Sequence, residues 1–133
     1  MRYMLDTNIC IYLIKKKPIS VFERFKQLSP GDIGISSITL AELYYGVEKS
    51  SQKEKNLNAL YQFIVPLEIF DFDYNAALEY GMIRTELEKN GKPIGPMDLL
   101  IASHARTLNM TLVTNNEKEF IQVEDLKVEN WID

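Results

Sequence analysis

The sequence is poor in the residues that stabilise small secreted or zinc-bound folds. It has one cysteine, Cys10, and one histidine, His104, so an internal disulfide is impossible and no Cys/His cluster is available for zinc. We expect Cys10 to act as a small apolar residue in a protein of the reducing cytoplasm. His104 is expected to be a packed or surface polar residue.

The sequence predicts neither low-complexity segments nor membrane-spanning segments. Six glycines and five prolines among 133 residues exclude collagen-like and low-complexity chain. No apolar run approaches the roughly 18–20 residues that span a bilayer, and the first residues reach an acid without an apolar run, so we expect no signal peptide. The length predicts one domain, 1–133, that can bury a core without disulfides or a structural metal.

Positive charge is in the minority, with 15 basic against 19 acidic residues and a net charge of −4. This balance argues against a protein that coats nucleic acid nonspecifically. It is compatible with a nuclease, because carboxylates that hold a metal lower the net charge while local lysines can still contact phosphate.

Short apolar strands alternate with helices along the chain. Strands are predicted at 3–5, 33–36, 67–70, 111–114 and 126–128, and helices at 7–15, 18–28, from 39, 53–63, 73–89 and 97–108. This order predicts an α/β sandwich around a mostly parallel sheet of four to five strands. Since ligands bind beyond the carboxyl ends of such strands, Asp6 and segment 114–116 are candidate site residues.

Glu42 and Asp98 lie in predicted helices, and each has both a structural and a functional interpretation. Glu42 lies opposite the apolar stripe predicted from Leu40 to Val47, which includes Tyr44. It is either a solvated glutamate or part of a groove wall. Asp98 lies on the same face as the apolar Ile101, Ala102 and Ala105; it either benefits from the helix N-terminus or points inward, where a carboxylate needs a compensating partner.

Other readings exist for the remaining candidates. Asp6 either caps the helix that follows it or holds a cation, and Asn116 with Glu119 form either a capping box or a pair of oxygen ligands. No lysine or arginine adjoins Asp6, Glu42 or Asp98 in the sequence. A metal is therefore a natural compensator, and oxygen-only ligands favour Mg²⁺ or Mn²⁺.

The candidate residues lie in four short segments: MLDTN at 4–8, SSITLAEL at 36–43, PIGPMDLLIA at 93–102, and VTNN at 113–116 followed by Glu119 and Phe120. Taken in order, these segments resemble the PIN domain of VapC-type toxins over essentially the whole chain. The resemblance implies a PIN-like α/β/α sandwich with Asp6, Glu42 and Asp98 as the acidic catalytic triad. Many family members have aspartate where this chain has Asn116, so Glu119 is expected to supply the missing charge at the Mg²⁺ or Mn²⁺ site.

The same resemblance implies a metal-dependent endoribonuclease, the toxin of a bacterial toxin–antitoxin pair. Its leading substrate is the anticodon region of initiator tRNA. The expected partners are RNA, a second copy in a homodimer, and a VapB-type antitoxin whose C-terminal segment lies in an apolar groove beside the acids.

Two other functions are weighed against this one. A receiver-like phosphotransfer domain also places an aspartate after its first strand, but Asp6 has no acidic neighbour and no lysine directly follows Val113. A degenerate PIN fold that binds RNA or protein without cleavage is the stronger alternative, and Asn116 is its one support.

Overall fold

Strands and helices alternate throughout residues 2–132, which the computed structural model describes; Met1 and Asp133, the ends of the predicted domain 1–133, lie outside the described residues. The strands are β1 (Tyr3–Leu5), β2 (Ile33–Ser36), β3 (Glu68–Phe70), β4 (Thr111–Val113) and β5 (Val128–Glu129). The helices are α1 (Thr7–Lys15), α2 (Ile19–Lys26), α3 (Ser37–Glu48), α4 (Lys53–Ile64), α5 (Tyr74–Lys89), α6 (Pro96–Thr107) and α7 (Glu117–Phe120), with a 3₁₀ turn at Pro30–Asp32. Within this range no helix is long and apolar enough to cross a membrane.

The strands form one parallel sheet in the order β3-β2-β1-β4-β5. The chain builds outward from β1 to β3 and then returns to add β4 on the other side of β1. Ligand sites of parallel sheets form where the strand order reverses in this way. Because Leu5 pairs with Val113, the residues that follow them, Asp6 and Thr114, leave the sheet at the same edge.

The core lies on both faces of the sheet. In β1, Tyr3 and Leu5 pack with α1 to α4, whereas Met4 packs with α5, α6 and α7 on the opposite face. This alternation follows from the two-residue period of a strand. The result is a three-layer α/β/α sandwich, which confirms the predicted fold class.

Most predicted elements are present with ends shifted by a few residues. Helix α3 begins at Ser37 rather than at residue 39, because Ser36 caps it by accepting the N–H of Ile38 at 3.0 Å. Strand β5 lies at 128–129 rather than 126–128. Helix α7 was not predicted, since four residues are too few to show a helical period; the buried Phe120 attaches it to the core.

The predicted apolar face of α3 is partly wrong. The buried residues are Thr39, Leu43 and Val47, whereas the side chain of Tyr44 is 40% exposed. The buried stripe repeats every fourth residue and includes a threonine. A prediction from hydrophobicity alone therefore included Tyr44 and omitted Thr39.

Gly34 allows β2 and β3 to pack closely. A Cβ atom at this position would lie 2.8 Å from the carbonyl oxygen of Glu68 and 2.5 Å from the ring of Phe70. The carbonyl belongs to a paired strand and cannot move aside without breaking the sheet register.

We therefore predict that Gly34→Ala lowers the free energy of unfolding by about 1–3 kcal/mol, the usual cost of overpacking a core. Urea denaturation followed by circular dichroism measures it. The control is Gly81→Ala in α5, where the new methyl group meets nothing within 4 Å and should add up to about 1 kcal/mol through helix propensity. Equal stability of the two variants would contradict the prediction.

Candidate functional site

Asp6 stands where β1 ends and α1 begins. Its backbone N–H donates to the carbonyl of Val113 at 3.0 Å, and its Oδ1 accepts the N–H of Ile9 at 2.9 Å as the N-cap of α1. The side chain is only 5% exposed. Capping, one of the two readings of this residue, is therefore confirmed, and the cap orients the carboxylate at the edge where β1 and β4 end.

Opposing effects act on the pKa of the Asp6 carboxyl group. Burial is the largest effect and raises its pKa, and the charge of Glu42 raises it further. Hydrogen bonds from the hydroxyl of Thr114 and from the backbone of α1 act in the opposite direction. Thr114 is fully buried and its hydroxyl also accepts the N–H of Asn116 at 3.0 Å, so it connects Asp6 to the segment after β4.

Glu42 faces the first turn of α1. The hydroxyl of Thr7 donates a short hydrogen bond to its carboxylate, which is partly buried. The core residues Leu43 and Val47 hold α3 in place. Glu42 is thus not a solvated glutamate, and its effect on the pKa of Asp6 shows that the two carboxylates interact.

Asp98 lies in the first turn of α6, which begins after the N-cap Gly95. The helix buries Ile101, Ala102 and Ala105 completely, as predicted, and this fixes the direction of Asp98. Its pKa is raised from 3.8 to about 6, first by burial and then by the charges of Glu119, Asp6 and Glu42, with a hydrogen bond to Glu119 adding to the shift.

Glu119 projects from α7 towards Asp98. Its Oε1 accepts the N–H of Gly95 at 3.0 Å, and its Oε2 accepts the Nδ2 amide of Asn116 at 2.8 Å. The side chain of Asn116 makes no capping hydrogen bond to α7. The capping box suggested by the sequence is therefore not formed, and the two side chains bind each other instead.

Mutual electrostatic effects join Asp6, Glu42, Asp98 and Glu119 into one site, and Asn116 is attached to it through Glu119. Within residues 2–132, no lysine, arginine or histidine forms an ion pair with any of the four carboxylates. In the same range, no three acidic, histidine or cysteine side chains lie close enough together to ligate one ion as they stand. The site is a set of coupled, uncompensated oxygen donors.

An apolar groove lies between α1, α3 and α4, and Glu42 is part of its lining. Its cavity has a volume of about 270 Å³. The lining residues are mostly apolar or small, and they comprise Ile11, Ile14, Lys15, Glu42, Leu43, Gly46, Val47, Asn56, Ala59 and Leu60. Of the two readings of Glu42, the one that makes it part of a groove wall is therefore confirmed.

Sequence reasoning missed the contribution of Gly95. Its N–H group holds Glu119, although 24 residues separate the two. The only available signal was a glycine between Ile94 and Pro96, which indicates a turn but no partner. His104 lies outside the site as a packed residue, with its Nδ1 atom 2.7 Å from the hydroxyl of Ser36.

Comparisons with known proteins agree with this geometry. The family model described as "PIN domain" matches residues 3–126. The chain is 54% identical to "Ribonuclease VapC2" of Rickettsia felis, covering 98% of each protein. It is 49% identical to "tRNA(fMet)-specific endonuclease VapC" of Shigella flexneri, again covering 98% of each.

Solved structures give the same result. The chain superimposes with a TM-score of 0.93 on a protein of 53% sequence identity in the crystal structure of VapBC2 from Rickettsia felis bound to a DNA fragment from their promoter. The match covers 99% of this chain and 100% of the other. The fold and the positions of its elements are thus shared over the full length of both chains.

The raised pKa of Asp98 predicts how stability depends on pH in EDTA. Between about pH 4 and 6 the folded protein keeps a proton that the unfolded chain releases, so the free energy of unfolding falls as the pH rises through this window. Asp98→Asn cannot ionise. The free energy of unfolding of this variant, relative to that of the native protein, should therefore rise by on the order of 1 kcal/mol between pH 4 and pH 7. The difference is this small because solvent screens the charge of a partly exposed group.

Urea denaturation at several pH values measures this difference, with the exposed Glu54→Gln as a control outside the site. A stability difference for Asp98→Asn that stays constant from pH 4 to pH 7 would contradict the prediction.

Proposed function

The chain belongs to the PIN-domain family and, within it, to the VapC ribonucleases, and from this premise we propose that it is the endoribonuclease toxin of a toxin–antitoxin pair. The observation that carries the proposal is the coupling of Asp6, Glu42, Asp98 and Glu119 at the point where the strand order reverses. Four carboxylates without a cationic partner suit a reaction in which a cation and a phosphodiester enter the site together.

We propose Mg²⁺ or Mn²⁺ as the cofactor. The chemistry of the donor set fits, because it consists of carboxylate oxygens whose charges raise the pKa of Asp98, and a divalent ion would relieve that repulsion and draw the acids closer than they now stand. Asp6, Glu42, Asp98 and Glu119 would hold the ion. When bound, it would lower the pKa of a water molecule and stabilise charge on the phosphate.

The chain itself orients these groups. Thr7 and the α1 backbone hold Glu42 and Asp6, while α6 presents Asp98 from the opposite side. Attack of water at phosphorus with departure of the 3′ oxygen leaves a 5′-phosphate and a 3′-hydroxyl.

Initiator tRNA is the proposed substrate, with the cut in the anticodon region. The support is the name of the relative from Shigella flexneri, a tRNA(fMet)-specific endonuclease that shares 49% identity. An anticodon loop presents unpaired bases, which proteins recognise more readily than the deep groove of duplex RNA. We propose the cytoplasm as its location, because the proposed substrate is found there.

We predict that the purified chain cuts initiator tRNA at one dominant site with Mg²⁺ or Mn²⁺ and not with EDTA. Asp98→Asn should reduce the rate by at least about 100-fold, the usual effect of removing a group that stabilises transition-state charge, while the exposed Glu54→Gln retains it. Sequencing of RNA ends locates the cut. If the native chain binds tRNA without cutting it in either metal, the noncatalytic PIN module becomes the better description.

A VapB-type antitoxin is the proposed partner, forming a toxin–antitoxin hetero-oligomer. The similar protein from Rickettsia felis was crystallised as a VapBC2 complex. Here the apolar groove offers a site for a peptide segment, and Glu42 in its lining offers a negative group for a basic residue of that segment. Homodimer formation stays a prediction.

We predict that Gly46→Leu weakens antitoxin binding at least about 10-fold, because its new side chain enters the groove and displaces apolar contact area. Titration calorimetry with the antitoxin subunit of the Rickettsia felis complex measures it. Gly81→Leu is the matched control, a helical glycine with equally open surroundings outside the groove. Unchanged affinity of Gly46→Leu would show that the segment binds elsewhere.

A further inference from the structure

The amide of Asn116 has a partner that the sequence did not suggest. Sequence reasoning allowed Asn116 to cap α7 or to offer its carbonyl oxygen to an ion. Its Nδ2 group instead donates to Glu119 Oε2 at 2.8 Å, and no capping bond is formed. The carboxylate accepts only, so the amide must direct its N–H group and not its oxygen towards Glu119.

Glu119 is held at both of its oxygens. The second oxygen, Oε1, accepts the N–H of Gly95 at 3.0 Å. A Cβ atom built at Gly95 would lie 3.9 Å from Glu119 Oε1 and 3.9 Å from Asp98 Oδ2, so both carboxylates approach the same loop residue. Each oxygen of Glu119 accepts one of these two hydrogen bonds, and the carboxylate also interacts with Asp98 through a further lone pair.

The two groups that donate to Glu119, the amide of Asn116 and the N–H of Gly95, are neutral and therefore do not cancel its charge. A lysine or arginine in the place of Asn116 would neutralise Glu119. An amide orients the carboxylate and leaves its full negative charge beside Asp98. The buried Phe120 anchors α7, and the N–H of Asn116 donates to the buried Thr114, so the amide itself is attached to a rigid part of the fold.

We propose that Asn116 is a positioning residue, whose amide, together with the N–H of Gly95, holds Glu119 beside Asp98 as the fourth acid of the site. Asn116 then acts through Glu119 and does not itself ligate the metal. The proposal rests on the proposed function, since it assigns roles within the same site.

The first test measures Mn²⁺ binding by titration calorimetry, with the metal alone as the probe. Asn116→Ala should weaken binding about 10- to 100-fold, the usual effect of losing a residue that orients a ligand. In the Glu119→Ala background the same substitution should have no further effect. Additive losses in the double variant would overturn the proposal, because they would show that Asn116 contributes independently of Glu119.

The matched control is Asn115→Ala. Asn115 is the neighbouring exposed asparagine, but its amide donates to the hydroxyl of Tyr12 at 3.0 Å and not to a carboxylate. Its removal should leave Mn²⁺ affinity unchanged, and thermal melting should show all variants folded.

The second test needs no metal. In EDTA, the temperature coefficient of the Gly95 amide proton, measured by NMR, reports its hydrogen bond to Glu119. Glu119→Ala should remove this protection, and Asn116→Ala should weaken it because the carboxylate is no longer held at Oε2. A Gly95 signal in Asn116→Ala that matches the native protein would overturn the positioning role, whereas absence of Mn²⁺ binding by the native chain would overturn the proposed cofactor instead.

Discussion

Repulsion among four carboxylates at the carboxyl ends of β1 and β4 is the constraint on which the rest of the site depends. Its effect is visible at Asp98, whose pKa rises to about 6 because burial and the charges of its neighbours oppose ionisation. Groups that repel one another stay together only when the backbone that carries them is held firmly. The pairing of Leu5 with Val113 and the cap on α1 provide that support for Asp6.

The hydrogen-bond donors around the acids share one property, which is that they are neutral. Thr7 holds Glu42, Thr114 holds Asp6, and the groups of Gly95 and Asn116 hold Glu119. Cationic partners would stabilise the carboxylates more strongly and would also cancel the field that attracts a metal ion. Neutral donors therefore stabilise the acids less than cations would and leave their negative charge available. Such a local loss of stability is expected at functional sites.

The apolar groove and the acidic site share a wall in α3. Glu42 belongs to both, since its carboxylate interacts with Asp6 and its side chain lines the groove. A peptide segment that fills the groove would consequently reach the acids without any change in the fold. Helix α3 thus connects the proposed partner site with the acidic site.

The sequence by itself determined most of the elements, the α/β class and the helix face that Asp98 shares with Ile101 and Ala102, because periodicity and capping depend on residues that are close along the chain. It also identified the oxygen donors. Only the tertiary structure decided the strand order that brings Asp6 next to Thr114, the exposure of Tyr44, and the contact of Gly95 with Glu119. These features depend on packing between segments that are far apart in sequence, and no local pattern encodes which of several polar partners a side chain such as that of Asn116 will meet.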